Sequence, residues 1–339
     1  MYFLDMPKWC QEDTPVLIFE ACVAGYTGNP MKPGTITEAD EKRARLLKCK
    51  DAVSVSAKRY TKSILEVPFQ KPSLPDGVDP DELKNVYKEK FAKEDTPGRG
   101  YYDKIKLLMK CETCPICGRV AARVHLDHYL PKSSYPTLCV NPNNLIPICD
   151  SCNTTKGKKE YSVDEGMPLH MYFDGLPVLV DEFGDNYVET YLHAELDENF
   201  VATYSIVRPK SWREGFMNRM ENHMRMYELL ELYSRSVKFE YSRIYSMWRE
   251  RMKKHIKSLA KSQRKTIKEV EQNINQQEFL QSIISEGIER EEGHDCNSWQ
   301  AALYRALEPK VEKFAAWLLE NEEDLQTTTQ THSSTDDGK

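Results

Sequence analysis

Two Cys-x-x-Cys pairs, Cys114-Pro-Ile-Cys117 and Cys149-Asp-Ser-Cys152, constrain this chain more than any other feature. Two residues between cysteines let a tight turn aim both sulfurs at one ion, so the four thiolates can close a tetrahedral zinc site. A zinc with four cysteine ligands has no open coordination position. The expectation is therefore a structural zinc, with any chemistry lying elsewhere. Ten cysteines occur in 339 residues, and six of them fall between 111 and 152. The start MYFLDMPKWCQ has no basic and apolar secretory pattern, so reduced, metal-binding thiols in a cytoplasmic protein are expected rather than disulfides. A mean hydropathy of -0.64 argues against membrane spans.

Two further cysteines complicate the pairing. Cys111 lies three residues before Cys114, so a shifted pair is formally open. Pro115 and Gly118 favour Cys114 with Cys117, since glycine permits the positive φ of a knuckle turn. Cys139 reads as a small buried residue. The 31 residues between Cys117 and Cys149 exceed the gap of a simple zinc ribbon and leave room for a folded insert.

Around this core the chain divides by texture. Residues 1–100 read as a mostly helical region, with turns at Gly28-Asn-Pro30, Lys32-Pro-Gly34 and Pro72 to Gly77. A helix is expected to start near Asp79, with Leu83, Val86, Tyr87 and Phe91 at helical spacing. Residues 101–165 hold the cysteine module, entered through a short helix at about 101–110. Residues 166–207 are β-branched and aromatic, which predicts a small antiparallel meander. Residues 208–325 are helical, with a stripe from Met220 to Trp248 that is more simply core than ligand box. Residues 326–339 lack apolar residues and are expected to be disordered.

The net charge of -6 excludes a uniformly basic nucleic-acid coat, but charge is polarised. Residues 208–268 hold 17 Lys/Arg against 6 Asp/Glu, whereas 269–325 hold 4 against 14. The dense run from Arg249 to Lys268 is either a phosphate-tracking face or a solvated one, and the acidic segment either masks it or marks a partner interface.

The insert carries reactive groups. Asp127 offers a hard oxygen beside His128, an imidazole able to take a proton near neutral pH. Asn153, at the start of an expected helix, adds a neutral oxygen. Carboxylate and carboxamide suit Mg²⁺ or Mn²⁺, and His128 beside that ion is placed to deprotonate water for attack on phosphorus. His125 shares a strand face with Asp127 but reads more simply as a packed or exposed residue. Arg99 is either a phosphate contact or a linker arginine in solvent.

The order Cys-x-x-Cys, Asp127-His128-x-x-Pro131, Asn144-Leu-x-Pro-x-Cys-x-x-Cys-Asn153-x-x-Lys156 resembles the HNH endonuclease family over about residues 111–159. The resemblance implies an α+β fold: a ββα-metal finger with a structural zinc on four cysteines, flanked by the β-meander and mostly helical regions. It implies His128 as general base, Asp127 and Asn153 as Mg²⁺ or Mn²⁺ ligands, and Asn144 pinning the loop that orients His128. Lys132, Lys156, Lys158 and Lys159 become phosphate contacts on DNA, double-stranded by expectation. The stretch from Leu126 to Pro136, with Leu169 to Asp174 and the Met/Tyr helix, resembles a longer prokaryotic type associated with anti-phage defence and an ATPase partner. Two rivals remain: a zinc-stapled nucleic-acid- or protein-binding module without catalysis, and a mobile-element or RNA-directed HNH nuclease.

Overall fold

Asp79 follows a Pro- and Gly-rich stretch and starts a helix. Its carboxylate caps the backbone N–H of Asp81 at 2.8 Å, and Pro80 presets the first helical turn. This is one of many local reasons for the helical character of the computed structural model, which describes residues 1–27, 35–65, 73–157, 159, 166–271 and 273–326. The turns at Gly28–Pro30 and Lys32–Gly34, residue Lys158 and the tail 327–339 lie outside the described residues.

The chain forms two compact units, residues 1–176 with 214–227, and residues 177–213 with 228–339. In the first, α1 (Thr14–Ala24), α2 (Glu38–Leu47), α3 (Lys50–Ser63) and α4 (Pro80–Val86) are followed by a π-helical turn, Tyr87–Phe91, and α5 (Arg99–Lys106). Strands β1 (Val124–His128) and β2 (Leu145–Cys149) then pair antiparallel, with Asp127 opposite Ile146 and His128 opposite Leu145. Helix α6 (Asp150–Lys156) follows β2 without a loop, completing a ββα unit. Helix α7 (Glu214–Met226) belongs to the same unit.

A two-stranded hairpin is marginal by itself in water. Here Leu126, Cys139, Val140 and Leu145 of the finger join one apolar cluster with Phe19, Cys22, Leu46, Val53, Leu83, Val86 and Phe91 of the preceding helices. Each such side chain, when fully buried, contributes roughly 1.5–3 kcal/mol. The N-terminal helices are thus the bed on which the finger lies, and the division drawn from composition at 100 cuts across this core.

In the second unit β3 (Leu179–Val180) pairs with β4 (Asn186–Tyr187), and β5 (Leu192–Leu196) with β6 (Ala202–Ile206). The pairing is antiparallel, but the two hairpins stay separate instead of forming one meander. Between them Asn297 holds the backbone: its Oδ1 accepts from the N–H groups of Tyr191 and Leu192 at 2.7 and 3.2 Å, and its Nδ2 donates to Glu189 O at 3.1 Å. Backbone that could have continued a sheet is bound by a side chain.

Helices α8 (Leu229–Gln263), α9 (Ile267–Glu271), α10 (Gln276–Asp295), α11 (Trp299–Leu307) and α12 (Val311–Glu320) complete this unit, with α8 packing on β6 and α11 on β5. The expected Met220–Trp248 stripe is broken at Glu228, whose φ of +51° ends any continuous helix. The stripe serves two cores, Met220 and Met224 in one unit and Val237, Ile244 and Trp248 in the other. Part of the basic run on α8 is neutralised, as Arg251 makes a bidentate pair with Glu286 at 2.7 and 2.6 Å. Among the described residues no helix is long and apolar enough to cross a membrane.

Candidate active site and metal centre

Two local turns build the cysteine cluster. Gly118, with φ +69°, lets its N–H reach Cys114 O at 2.8 Å, and Cys114 N–H returns to Arg119 O at 2.8 Å. On the other side Cys149 is the N-cap of α6, its sulfur accepting from Cys152 N–H at 3.5 Å. The sulfurs of Cys114, Cys117, Cys149 and Cys152 all lie within 4.8 Å of one another and are buried, with Cys117 and Cys149 only 3.8 Å apart. Zn–S bonds of about 2.3 Å set tetrahedral sulfurs about 3.8 Å apart, so this donor set fits zinc. Hydrogen bonds from Cys114, Cys117 and Cys152 hold the Cys149 thiol far below its ordinary range. Cys111 is exposed and stands outside the cluster, which leaves the shifted pair without support.

One face of the ββα unit opens on a cavity of about 520 Å³ whose lining includes Tyr87, His125, Asp127, His128, Lys132, Asn153 and Lys156. Strand β1 supplies His125, Asp127 and His128, and α6 supplies Asn153 and Lys156.

His128 is 8% exposed, and its Nε2 lies 2.8 Å from Cys139 O. A carbonyl only accepts, so Nε2 carries the proton and Nδ1 keeps the lone pair. Burial, reinforced by Lys132 and Lys156, holds the imidazole neutral, with its pKa down to about 3. The Tyr87 ring packs edge-on against it at 4.5 Å, and Tyr87 Oη donates to Leu126 O at 3.2 Å. Cys139 is buried and donates its thiol to Leu83 O at 3.3 Å, so its backbone serves His128 while its side chain packs.

Asn144 is fully buried. Its Oδ1 accepts from Leu130 N–H at 2.7 Å, and its Nδ2 donates to Leu130 O and Leu138 O at 3.0 and 3.3 Å. This carboxamide ties the loop between the strands, residues 129–144, together with the backbone bond from Tyr129 N–H to Asn144 O at 2.8 Å.

Asp127 is 6% exposed, and burial raises its pKa although Lys156 opposes that shift. Lys156 Nζ lies 2.6 Å from Asp127 Oδ2 and 2.6 Å from His128 O. Lys156, expected as a phosphate contact, lines the cavity with its ammonium already bonded to Asp127. It is 1% exposed, because the last turn of α6 packs inward and delivers its ammonium to a buried carboxylate. Lys132 remains partly accessible, 4.1 Å over the Tyr87 ring, and burial lowers its pKa. Lys159 is exposed and reaches Met226 O at 3.3 Å, whereas Lys158 lies outside the described residues.

Asn153 is half-buried on the cavity wall. With Asp127 it offers the hard oxygen donors that Mg²⁺ or Mn²⁺ takes from protein, the remainder coming from water and phosphate. His125 also lines the cavity, but its Nε2 lies 2.9 Å from Asp150 Oδ1. Arg99 is engaged locally, by Asp103 at 2.9 and 3.0 Å, Ala92 O at 2.9 Å and the Tyr102 ring at 4.9 Å.

Residues 111–159 match the HNH endonuclease family. The chain carries an HNH endonuclease domain. It is 29% identical over 158 residues to protein ea31 of Escherichia phage lambda, covering 44% of this chain and 49% of that protein. It is 36% identical over 64 residues to Septu protein PtuB of Bacillus thuringiensis, covering 18% of this chain and 25% of that protein. The matches thus span at most about half the length of these relatives. No solved structure matches significantly. Sequence reasoning missed Tyr87 and the Cys139 carbonyl as supports of His128. Tyr87 was visible only as one member of a helical stripe 41 residues earlier.

Proposed function

We propose that the protein is a metal-dependent endonuclease that hydrolyses DNA phosphodiester bonds at the cavity lined by Asp127, His128 and Asn153. The observation carrying this reading is the orientation of His128: with Nε2–H held by Cys139 O, its neutral Nδ1 is the available base. Asp127 and Asn153 would hold one Mg²⁺ or Mn²⁺, which when bound supplies Lewis-acid stabilisation of the phosphate charge. His128 takes the proton of the attacking water. Asn144 holds the loop that carries Leu130 and Leu138, and thereby keeps the Cys139 carbonyl in place. Lys132 and Lys159 meet backbone phosphates, and the four-cysteine cluster holds a structural zinc.

The resemblance of the longer chain to defence-associated HNH proteins, joined by the match to Septu protein PtuB, supports a role in anti-phage defence, and the resemblance alone suggests the ATPase partner. The match to a phage protein favours a second reading, a mobile-element nuclease with the same chemistry. The identity of the neighbouring gene separates them: an ATPase whose product co-purifies with this chain supports the first.

The test of the activity is plasmid cleavage with Mg²⁺ or Mn²⁺ by wild type and His128→Ala, with zinc content measured in both. Loss of cleavage with zinc retained is expected. Wild-type cutting by a zinc-loaded alanine variant would overturn the assignment.

A further inference from the structure

We propose that Lys156 is a built-in competitor for the divalent cation at Asp127, so that cation and nucleic-acid phosphate bind cooperatively. The inference rests on the functional reading above, in which Asp127 is a cation ligand. Among the described residues lining the cavity Asp127 is the sole carboxylate, while Lys84, Lys132 and Lys156 are all lysines. Lys84 is matched by Asp81 at 2.6 Å, and Lys132 lies over a tyrosine ring. Of these three lysines it is Lys156 that takes the Asp127 carboxylate, at 2.6 Å, with both groups almost fully buried.

A buried carboxylate needs one cation and a buried ammonium needs one acceptor. A divalent ion arriving at Asp127 meets an oxygen already occupied and a charge of the same sign beside it. It must either displace Lys156 from Oδ2, leaving that ammonium with His128 O, or bind through Oδ1 against the repulsion of an ammonium 2.6 Å from the other oxygen. A phosphate oxygen entering the cavity removes this cost, since it accepts from Lys156 and faces the ion as well. Asn153 and Lys156 are three residues apart on α6, so a proposed ion ligand and the competing ammonium share one helical face. Each ligand therefore strengthens the other, by the same factor in both directions.

The experiment measures Mn²⁺ binding to the full, zinc-loaded chain by electron paramagnetic resonance of free Mn²⁺. His128→Ala is the background, so that a short DNA duplex can be added without turnover. Lys156→Met is expected to bind Mn²⁺ about tenfold tighter or more without DNA, because a like charge is gone from the ligand's side. Duplex is expected to raise Mn²⁺ affinity about tenfold with Lys156 present and less than about threefold without it. Lys156→Gln, which still donates to His128 O, is measured in parallel should the methionine variant fold poorly. Asp127→Asn separates the possible failures. If Asp127→Asn abolishes binding and neither Lys156 variant strengthens it, the competition proposal falls alone. If Asp127→Asn leaves Mn²⁺ binding unchanged, the cation is not at Asp127 and the functional reading falls with it.

Discussion

Asn144→Ala tests whether one buried carboxamide holds the loop between β1 and β2. The substitution strands Leu130 N–H, Leu130 O and Leu138 O, all now bonded to Asn144 at 2.7–3.3 Å in a region where Leu130 is 4% and Leu138 0% exposed. An unsatisfied buried group costs about 1–3 kcal/mol. With partial relaxation of the loop, a total of about 3–5 kcal/mol follows, a large share of the roughly 5–15 kcal/mol that stabilises a domain. Cys139 follows Leu138 in the same loop, so its carbonyl shifts and His128 loses its orientation. A misplacement near 1 Å costs about 10²-fold in rate. Urea unfolding reads the stability, and single-turnover cleavage with zinc content reads the site. The expected result is a lower unfolding midpoint, a fall in kcat larger than any rise in KM, and unchanged zinc. Asn144→Asp has nearly the same volume but sets a carboxylate against two carbonyl oxygens, so it should not rescue. An alanine variant within about 0.5 kcal/mol of wild type that also cleaves normally would refute the reasoning, since that is the range of surface substitutions without structural consequence.

Four further outcomes are expected. Cys117→Ser, or strong chelation, should release the zinc and unfold the finger, because a structural zinc of this kind contributes of order 10 kcal/mol to folding; circular dichroism with metal analysis reads it. Tyr87→Leu removes the edge-on ring packing against His128, the cation–π interaction with Lys132 and the bond to Leu126 O, so cleavage should drop with zinc intact; an unchanged rate would make Tyr87 packing alone. Buried His170 and His223 are both held neutral by burial, with pKa values down to about 3, against about 6.5 in an unfolded chain. The unfolded state therefore binds more protons below pH 6.5, and stability present above that pH should be lost as pH falls toward 3, by up to about 1.4 kcal/mol per pH unit for each histidine. A melting temperature flat from pH 7 to 5 would contradict this. Neutralising Lys132 and Lys159 should lower the slope of log affinity against log salt by about 0.9 for each phosphate that is no longer neutralised, as read in binding titrations on duplex DNA.

Much of this site is local and so was legible before folding was considered. Cys-x-x-Cys spacing, glycine at Gly118 and an Asn153 one residue past Cys152 are short-range geometry, and the residues between them come together because a hairpin and a helix bring them back. The supports of His128 are not of that kind. Tyr87 sits on a π-helical turn and Cys139 offers only its carbonyl, which any residue could supply, so neither leaves a mark that a residue pattern can carry.

By itself, then, the order of residues marked the four sulfurs and the Asp127, His128 and Asn153 candidates, because each depends on spacing within a turn, strand or helix, while the ββα unit was implied by the family resemblance that this order carries. Tertiary structure decided what those groups are. Burial against the N-terminal helices makes His128 a neutral imidazole of defined tautomer, and the inward last turn of α6 makes Lys156 the buried countercharge of Asp127. Charge state and pairing depend on distance and dielectric around a side chain, and those exist only once the chain has closed around it.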